Sequence, residues 1–332
     1  MTTTSQCPST ELTNPLGMVG RNAGFVDVLQ KMMMVAHTKT TVLVLGETGT
    51  GKELVAKAVH DRSERASRAF VAINCGALPE HLVENELFGH TKGAYTDASK
   101  AASGLVASAE GGTLFLDEVD SLSVGTQGKL LRFLQDRSYR PVGYDKTLHA
   151  DVRVIAATNA NLGQKIVERS FREDLYYRIS VAVLQLPALR ERLDDILPLA
   201  QHFLNVHALA LGKAVPTLSA KAVTALMQYS WPGNVRELET AVHRAVLFTN
   251  RTKLEPGDFG ITNPIFHMDK HIEKPTFSEA KARVVTEFER QYLTNVLREN
   301  GGNVTKAAHQ AGKERRCFQR LLAKYGLAGQ GG

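Results

Sequence analysis

Residues 46–52 read Gly46-Glu47-Thr48-Gly49-Thr50-Gly51-Lys52, directly after the apolar run VLVL (42–45) and directly before the apolar-periodic stretch LVAKAVH (54–60). Strand, glycine loop, helix is the order a phosphate-binding loop requires. The glycines let successive backbone N–H groups wrap an anion, the helix N-terminus faces it, and the lysine reaches the outer phosphates. These seven residues are therefore the candidate nucleotide contacts, with Glu53 next to them. Glu53 stands where the general motif carries Ser or Thr, so a bound metal must rely on other groups.

The strands around that loop set the fold class. TVLVL (41–45), FVAIN (70–74), TLFLD (113–117), VRVIAAT (152–158) and VAVLQL (181–186) alternate with helical stretches. This alternation predicts an α/β fold with a doubly wound, mainly parallel sheet over residues 17–186. Ligands in such sheets gather at the carboxyl ends of the strands. The third run ends in Asp117 and Glu118, which places two carboxylates beside the phosphates held by the loop. Asp117 is expected to hold Mg2+ and Glu118 to orient and polarise the attacking water.

Residues 187–250 turn helical, with Ile196, Leu199, Ala200, Phe203 and Leu204 at three- and four-residue spacing. They predict a helical lid subdomain. Pro256, Gly257, Gly260, Pro264 and Pro275 interrupt any period over 251–278, which reads as a linker. Residues 1–16 are rich in Thr, Ser, Pro and Asn and read as a disordered lead-in; residues 327–332 form a tail. No run approaches the ~18 apolar residues of a membrane span, and no basic segment leads into an apolar one near the N-terminus, so a soluble protein of the cytoplasm without membrane insertion is expected. Cys7, Cys75 and Cys317 lack metal-ligand spacing.

Charge marks the remaining unit, 279–326. From Lys281 to Lys324 there are ten Lys/Arg against four Glu, an excess equal to the whole chain's net +6. After the break Asn300-Gly301-Gly302-Asn303, the segment from Val304 through Gly312 fits the first helix and turn of a helix-turn-helix, with alanines for close helix crossing and Gly312 for the turn. The next helix, Glu314 to Tyr325, is expected to bury Phe318, Leu321 and Leu322. It presents Arg315, Arg316, Gln319 and Arg320 to the major groove of double-stranded DNA, with Thr305 and Lys306 beside them.

Taken together, GETGTGKE (46–53), NCGAL (74–78), ELFGH (86–90), GAYTDA (93–98), GGTLFLDE (111–118), FREDLYYRI (171–179), LPALRER (186–192) and WPGNVREL (231–238) resemble the bacterial enhancer-binding proteins, the sigma-54-dependent transcriptional activators. The similarity runs from about residue 17 to 326. It implies an AAA+ ATPase, a helical lid and a Fis-type helix-turn-helix that binds upstream DNA. It also implies a ring homo-oligomer, by analogy a hexamer, that remodels the closed complex of sigma-54 RNA polymerase.

The resemblance assigns roles residue by residue. Asn74 matches the switch that restrains the catalytic Glu118, Thr158 and Asn159 match the first sensor, and Arg236 matches the second. Arg172 and Arg178 match arginine fingers that act on a neighbouring subunit's nucleotide. Gly93, Ala94, Tyr95, Thr96, Asp97 and Ala98 occupy the sigma-contacting loop, where most of the family carries Gly-Ala-Phe-Thr-Gly-Ala. Tyr95 keeps an aromatic group, whereas Asp97 restricts positive φ and adds a carboxylate near the pore. Thr96 and Tyr95 are expected to make the sigma contact. The alternative is a nucleotide-responsive DNA-binding regulator that leaves sigma-54 alone. With no receiver expected before residue 17, control would come from a regulatory protein in trans or from expression level.

Overall fold

Alternation along the strands builds the first layer arrangement. The computed structural model describes residues 18–94, 101–261, 303–324 and, between 286 and 300, Thr286, Glu289, Tyr292, Leu293, Val296, Leu297 and Asn300. The expected lead-in, tail and much of the expected linker lie outside these residues. Two units divide after Asn263.

In the first unit, five strands, β1 (Val42–Leu45), β2 (Phe70–Asn74), β3 (Thr113–Asp117), β4 (Arg153–Thr158) and β5 (Ala182–Gln185), form one sheet in the order β2-β3-β4-β1-β5. All pairings are parallel. Side chains one apart on a strand face opposite sides, and both sides are covered. Leu43, Leu114, Leu116, Val154 and Ala156 pack with Leu87, Phe88 and Phe133 on one face. Val42, Val44, Phe115, Ile155 and Ala157 pack with Phe25, Met32 and Val59 on the other. Two-sided burial explains why the strands are continuous apolar runs.

Helices α1 (Ala23–Ala36) and α2 (Lys52–Asp61) supply the second face. The first face is covered by α3 (Glu80–Phe88), the short α4 (Leu105–Ser108), α5 (Val124–Asp136), α6 (Leu162–Val167) and α7 (Glu173–Ile179). Arg153 is buried on β4, and its guanidinium donates to the carbonyls of Val35 and Ala36 at 2.7 and 2.8 Å. It thereby satisfies the carbonyl end of α1 that no further helical turn would serve.

The lid contains α8 (Ile196–Ala210), α9 (Ala220–Gln228) and α10 (Asn234–Phe248). Their apolar faces meet around Trp231, which is fully buried and donates from its indole to the Leu226 carbonyl at 2.9 Å. The lid does not stop at residue 250. Lys253 and Leu254 pair in parallel with Thr217 and Leu218, and Phe259 is fully buried in the lid core. The expected linker therefore starts too early. Pro256 opens a 3-10 turn, Asp258 accepts from the Glu255 N–H at 2.7 Å, and Gly260 closes the turn at φ 65°. These residues cap a packed segment, so their Pro and Gly content mimics a linker without being one.

In the second unit, Asn303 caps α11 (Val304–Gln310) by accepting from the N–H groups of Thr305 and Lys306 at 3.1 Å each. Gly312, at φ 60°, makes the turn into α12 (Arg315–Lys324). Leu293, Val296, Ala307, Ala308, Phe318 and Leu322 form its core, with Leu321 half-buried against it. The period of three and four fixed this face correctly, and the helix begins one residue later than expected.

Phe259→Ala should remove about 3–5 kcal/mol of lid stability, as for other buried aromatic truncations, measured by denaturant unfolding followed through Trp231. A loss under about 1 kcal/mol would return residues 251–261 to a linker.

Candidate active site

Parallel register brings the expected residues to one edge. Leu45 stands opposite Thr158, and Asn74 opposite Asp117. Chain leaving β1, β3 and β4 therefore emerges at one level. Gly49 and Gly51 take φ of 80° and 100°, which only glycine adopts readily, and Gly51 caps α2. A Cβ at Gly49 would lie 2.2 Å from the Gly233 carbonyl of the lid. The loop is thus glycine at this position for closeness as well as for backbone freedom.

The Lys52 ammonium donates to the carbonyls of Gly46 at 3.0 Å and Glu47 at 3.2 Å. Burial lowers its pKa, Asp117 and Glu118 push it back up, and Arg236 adds to the lowering. The lysine therefore senses both strand-end carboxylates and the lid arginine. The buried Thr50 hydroxyl donates to the Glu47 carbonyl at 2.8 Å, and Arg192, also buried, donates to the Thr50 carbonyl at 3.3 Å. Glu53 is exposed on the first turn of α2.

At the acidic end, Asp117 accepts the Glu118 N–H through Oδ1 at 3.0 Å. Glu118 adopts φ 53°, a left-handed conformation that is uncommon outside glycine and costs of order 1–3 kcal/mol. Its carboxylate lies over Gly76, where a Cβ would fall 2.1 Å from Oε2. No hydrogen bond joins Asn74 to Glu118, the carboxylate it was expected to restrain, among the described residues. Asn74 Oδ1 instead accepts the N–H groups of Gly76 and Ala77 at 2.8 and 3.0 Å. The Asn74 carbonyl oxygen thereby shapes the turn over which the Glu118 carboxylate lies. Neighbouring Cys75 is buried, which with Asp117 nearby pushes its thiol up to about 12.

The first-sensor pair is also differently engaged. Thr158 donates to Asp120 at 2.5 Å, and Asp120 pairs with Lys165 at 2.8 Å. Burial alone would raise the Asp120 pKa, but the hydrogen bonds from Lys165 and Thr158 and the lysine's charge hold it below the ordinary value. Asn159 donates to the Thr48 hydroxyl at 2.8 Å. Sequence reasoning missed Asp120, although its place two residues beyond Glu118 was a signal.

Lid residues grip the loop from the other side. Glu47 was expected among nucleotide contacts, but its carboxylate is bound by Arg190 at 2.7 and 2.8 Å and by the Asn234 amide at 3.1 Å. A carboxylate would repel phosphate, and pairing it with the lid removes that repulsion. Arg236 is exposed; its N–H and that of Val235 donate to the Gly49 carbonyl at 3.3 and 3.0 Å. Arg172, at the N-cap of α7, and Arg178, within the helix, are both exposed. Arg172 forms a two-pronged pair with Asp174 at 3.0 and 2.7 Å, and Arg178 donates to the Leu134 carbonyl at 2.8 Å. Neither contacts the loop of its own chain among the described residues.

Only Gly93 and Ala94 of the loop expected to contact sigma are described; Tyr95, Thr96, Asp97 and Ala98 lie outside the described residues. Its base is a short antiparallel pairing of Gly89–His90 with Ala102–Ser103. The base is tied to a neighbouring loop, with Thr91 N–H donating to the Val142 carbonyl at 3.0 Å and Val142 N–H to the Gly89 carbonyl at 2.8 Å. In the second unit Thr305, Lys306, Arg315, Arg316, Gln319 and Arg320 are all exposed.

A glycine loop after the first strand, paired carboxylates after the third and a helical lid closing on the loop define a P-loop nucleotide-binding fold of the AAA+ type. Residues 18–185 match the family described as the sigma-54 interaction domain, 190–262 the AAA+ ATPase lid domain, and 284–325 the bacterial regulatory proteins of the Fis family. The chain belongs to the sigma-54 interaction domain family. It is 43% identical to the anaerobic nitric oxide reductase transcription regulator NorR of Klebsiella pneumoniae (strain 342), covering 94% of this chain and 62% of that protein. It is 42% identical to the transcriptional regulatory protein GlrR of Escherichia coli (strain K12), covering 93% and 68%. The nitrogen fixation protein VnfA of Azotobacter vinelandii is 40% identical, covering 94% of this chain and 59% of VnfA. Among solved structures, NtrX from Brucella abortus in complex with ADP superposes with a TM-score of 0.71 at 34% identity, covering 94% and 70%. The chain spans about 60% of the length of VnfA and NorR.

Asp120→Asn should cost about 1–3 kcal/mol at neutral pH, the range for a buried hydrogen-bonded group losing its charge. Asp120 has a depressed native pKa, so its contribution is complete above about 4, the unfolded value, and is lost as pH falls through the native one. Denaturant melts of both proteins should therefore differ equally from pH 7 to about 4 and converge only below. Convergence already near pH 6 would contradict the assignment.

Proposed function

We propose that this chain is a sigma-54-dependent transcriptional activator that binds upstream DNA, assembles into a ring and hydrolyses ATP to remodel the sigma-54 RNA polymerase closed complex. The observation that carries the reading is the meeting of Lys52, Asp117 and Glu118 at one edge of the sheet, in a chain whose matched family is named for sigma-54 interaction. Relatives bearing the names of transcription regulators, and a neighbour solved with ADP, support it. Nothing supports a regulator that leaves sigma-54 alone.

Lys52 and the loop N–H groups hold the β and γ phosphates of ATP. Mg2+ fits the donor set, because Asp117 has one carboxylate oxygen engaged by Glu118 N–H and offers the other, and this ion takes one or two carboxylates together with phosphate oxygens and water. When bound it would neutralise phosphate charge. Glu118 orients a water and accepts its proton as the water attacks the γ phosphorus, while the bond from that phosphorus to the β–γ bridging oxygen breaks and ADP leaves. Arg172 and Arg178 face solvent in a single chain, as groups supplied to a neighbouring subunit would; a guanidinium there stabilises charge on the transferred group. The family analogy makes the ring a hexamer, with Tyr95 and Thr96 touching sigma-54 and the cytoplasm as the site of action. Arg315, Arg316, Gln319 and Arg320 face DNA, with Thr305 and Lys306 on the adjoining helix.

Glu118→Gln should retain ATP binding and lose about 10²–10⁴-fold in turnover, the usual contribution of a general base. Arg172→Ala should lose about 10³–10⁵-fold, and wild-type turnover per chain should rise with protein concentration. Turnover per chain that is constant in a monomer would remove the fingers from the mechanism. In transcription from a sigma-54 promoter, the wild type should give ATP-dependent output, and its absence in both wild type and Asp97→Gly would overturn the sigma-54 reading.

A further inference from the structure

Asn234 performs a task that nothing in the nucleotide chemistry requires. It is fully buried, sits at φ 54°, and begins α10. Its side-chain amide uses both ends: Nδ2 donates to Glu47 Oε2 at 3.1 Å and to the Thr48 carbonyl at 3.0 Å, while Oδ1 accepts the Leu189 N–H at 2.8 Å. One side chain thus ties the crest of the P-loop to the segment entering the lid. Its own N–H donates to the Trp231 carbonyl at 2.8 Å, and Trp231 also has a left-handed backbone, at φ 50°. Two non-glycine residues in that region within four positions cost of order 1–3 kcal/mol each, and such strain persists only where surrounding contacts fix it.

The outward polar groups of the crest are engaged without exception among those described. The Glu47 carboxylate goes to Arg190 and Asn234, the Thr48 carbonyl to Asn234, the Thr48 hydroxyl to Asn159, and the Gly49 carbonyl to Val235 and Arg236 N–H. Phosphates that pull on the loop's N–H groups therefore cannot shift residues 47–49 without moving or breaking these contacts, all of which except the one to Asn159 come from the lid.

We propose that Asn234, with the Glu47–Arg190 ion pair, is a positioning clamp that transmits the nucleotide state of the P-loop to the lid through the Trp231 turn. The inference rests on the ATP-binding reading above. Asn234 contacts no reacting atom; it sets where the loop and the lid stand relative to each other.

Trp231 is the chain's sole tryptophan and provides the readout. Full-length wild type would be titrated with Mg-ADP while Trp231 emission is followed, and binding would be measured separately by calorimetry. Asn234→Gly tolerates the positive φ and removes the amide. Asn234→Asp keeps the size and sets two carboxylates face to face, and adding Glu47→Gln removes that repulsion and restores a donor–acceptor pair with its polarity reversed, at the loss of the Arg190 ion pair. The clamp predicts an ADP-dependent emission change in wild type that vanishes in Asn234→Gly although ADP still binds. It also predicts about tenfold weaker ADP binding in Asn234→Asp, within the range of coupled contacts, and partial recovery in the double variant, because the Arg190 ion pair and the Thr48 carbonyl contact stay lost. A merely structural residue would lower stability without rescue by Glu47→Gln. An unchanged emission response in Asn234→Gly, or no response in wild type that binds ADP, would overturn the clamp. Should Asn234→Gly fail to fold, the Asp variant and its rescue decide alone. If wild type binds no ADP at all, the ATPase reading falls first and the clamp with it.

Discussion

Parallel pairing sends the carboxyl ends of all five strands to one edge, and the chain's reactive groups depend on that geometry. Leu45 opposite Thr158 and Asn74 opposite Asp117 set the level at which the P-loop, the two acids and the first-sensor residues leave the sheet. Burial on both faces fixes the register, because a one-residue slip would turn Leu43, Leu114 and Leu116 away from the face they fill. The chemistry at the edge thus rests on apolar packing some residues away.

Charges at that edge are managed by pairing. Lys52 lies among Asp117, Glu118 and Asp120, while Arg190 and Asn234 neutralise and satisfy Glu47, which would otherwise oppose phosphate. Exposed Arg172 and Arg178 stand outside this arrangement. The lid is fastened to the loop by backbone donors from Val235 and Arg236 as well as by side chains. Movement in one is therefore resisted by the other.

Much of this was legible in the sequence. The five strands, the P-loop, the acidic strand end and the exposed face of the second basic helix all follow from periodicity and punctuation. Three features were not. Pro256 and Gly260 read as linker because capping residues and linker residues share a composition, and only the burial of Phe259 separates them. Asn74 was paired with Glu118 by resemblance, yet its carbonyl oxygen accepts two backbone N–H groups that no spacing rule announces. Glu47 lay inside a phosphate motif, and its partners Arg190 and Asn234 are 143 and 187 positions away, a separation that local reasoning does not bridge.

The central claim is that Lys52 and the strand-end acids serve one bound triphosphate. Calorimetric titration of Mg-ATP into wild type and Lys52→Ala tests it most directly. The account predicts saturable binding of one nucleotide per chain that weakens by about a hundredfold or more in Lys52→Ala, the loss expected when a charged hydrogen-bonding partner of ~3 kcal/mol is removed. Equal affinity in the two proteins, or no binding to wild type, would contradict it.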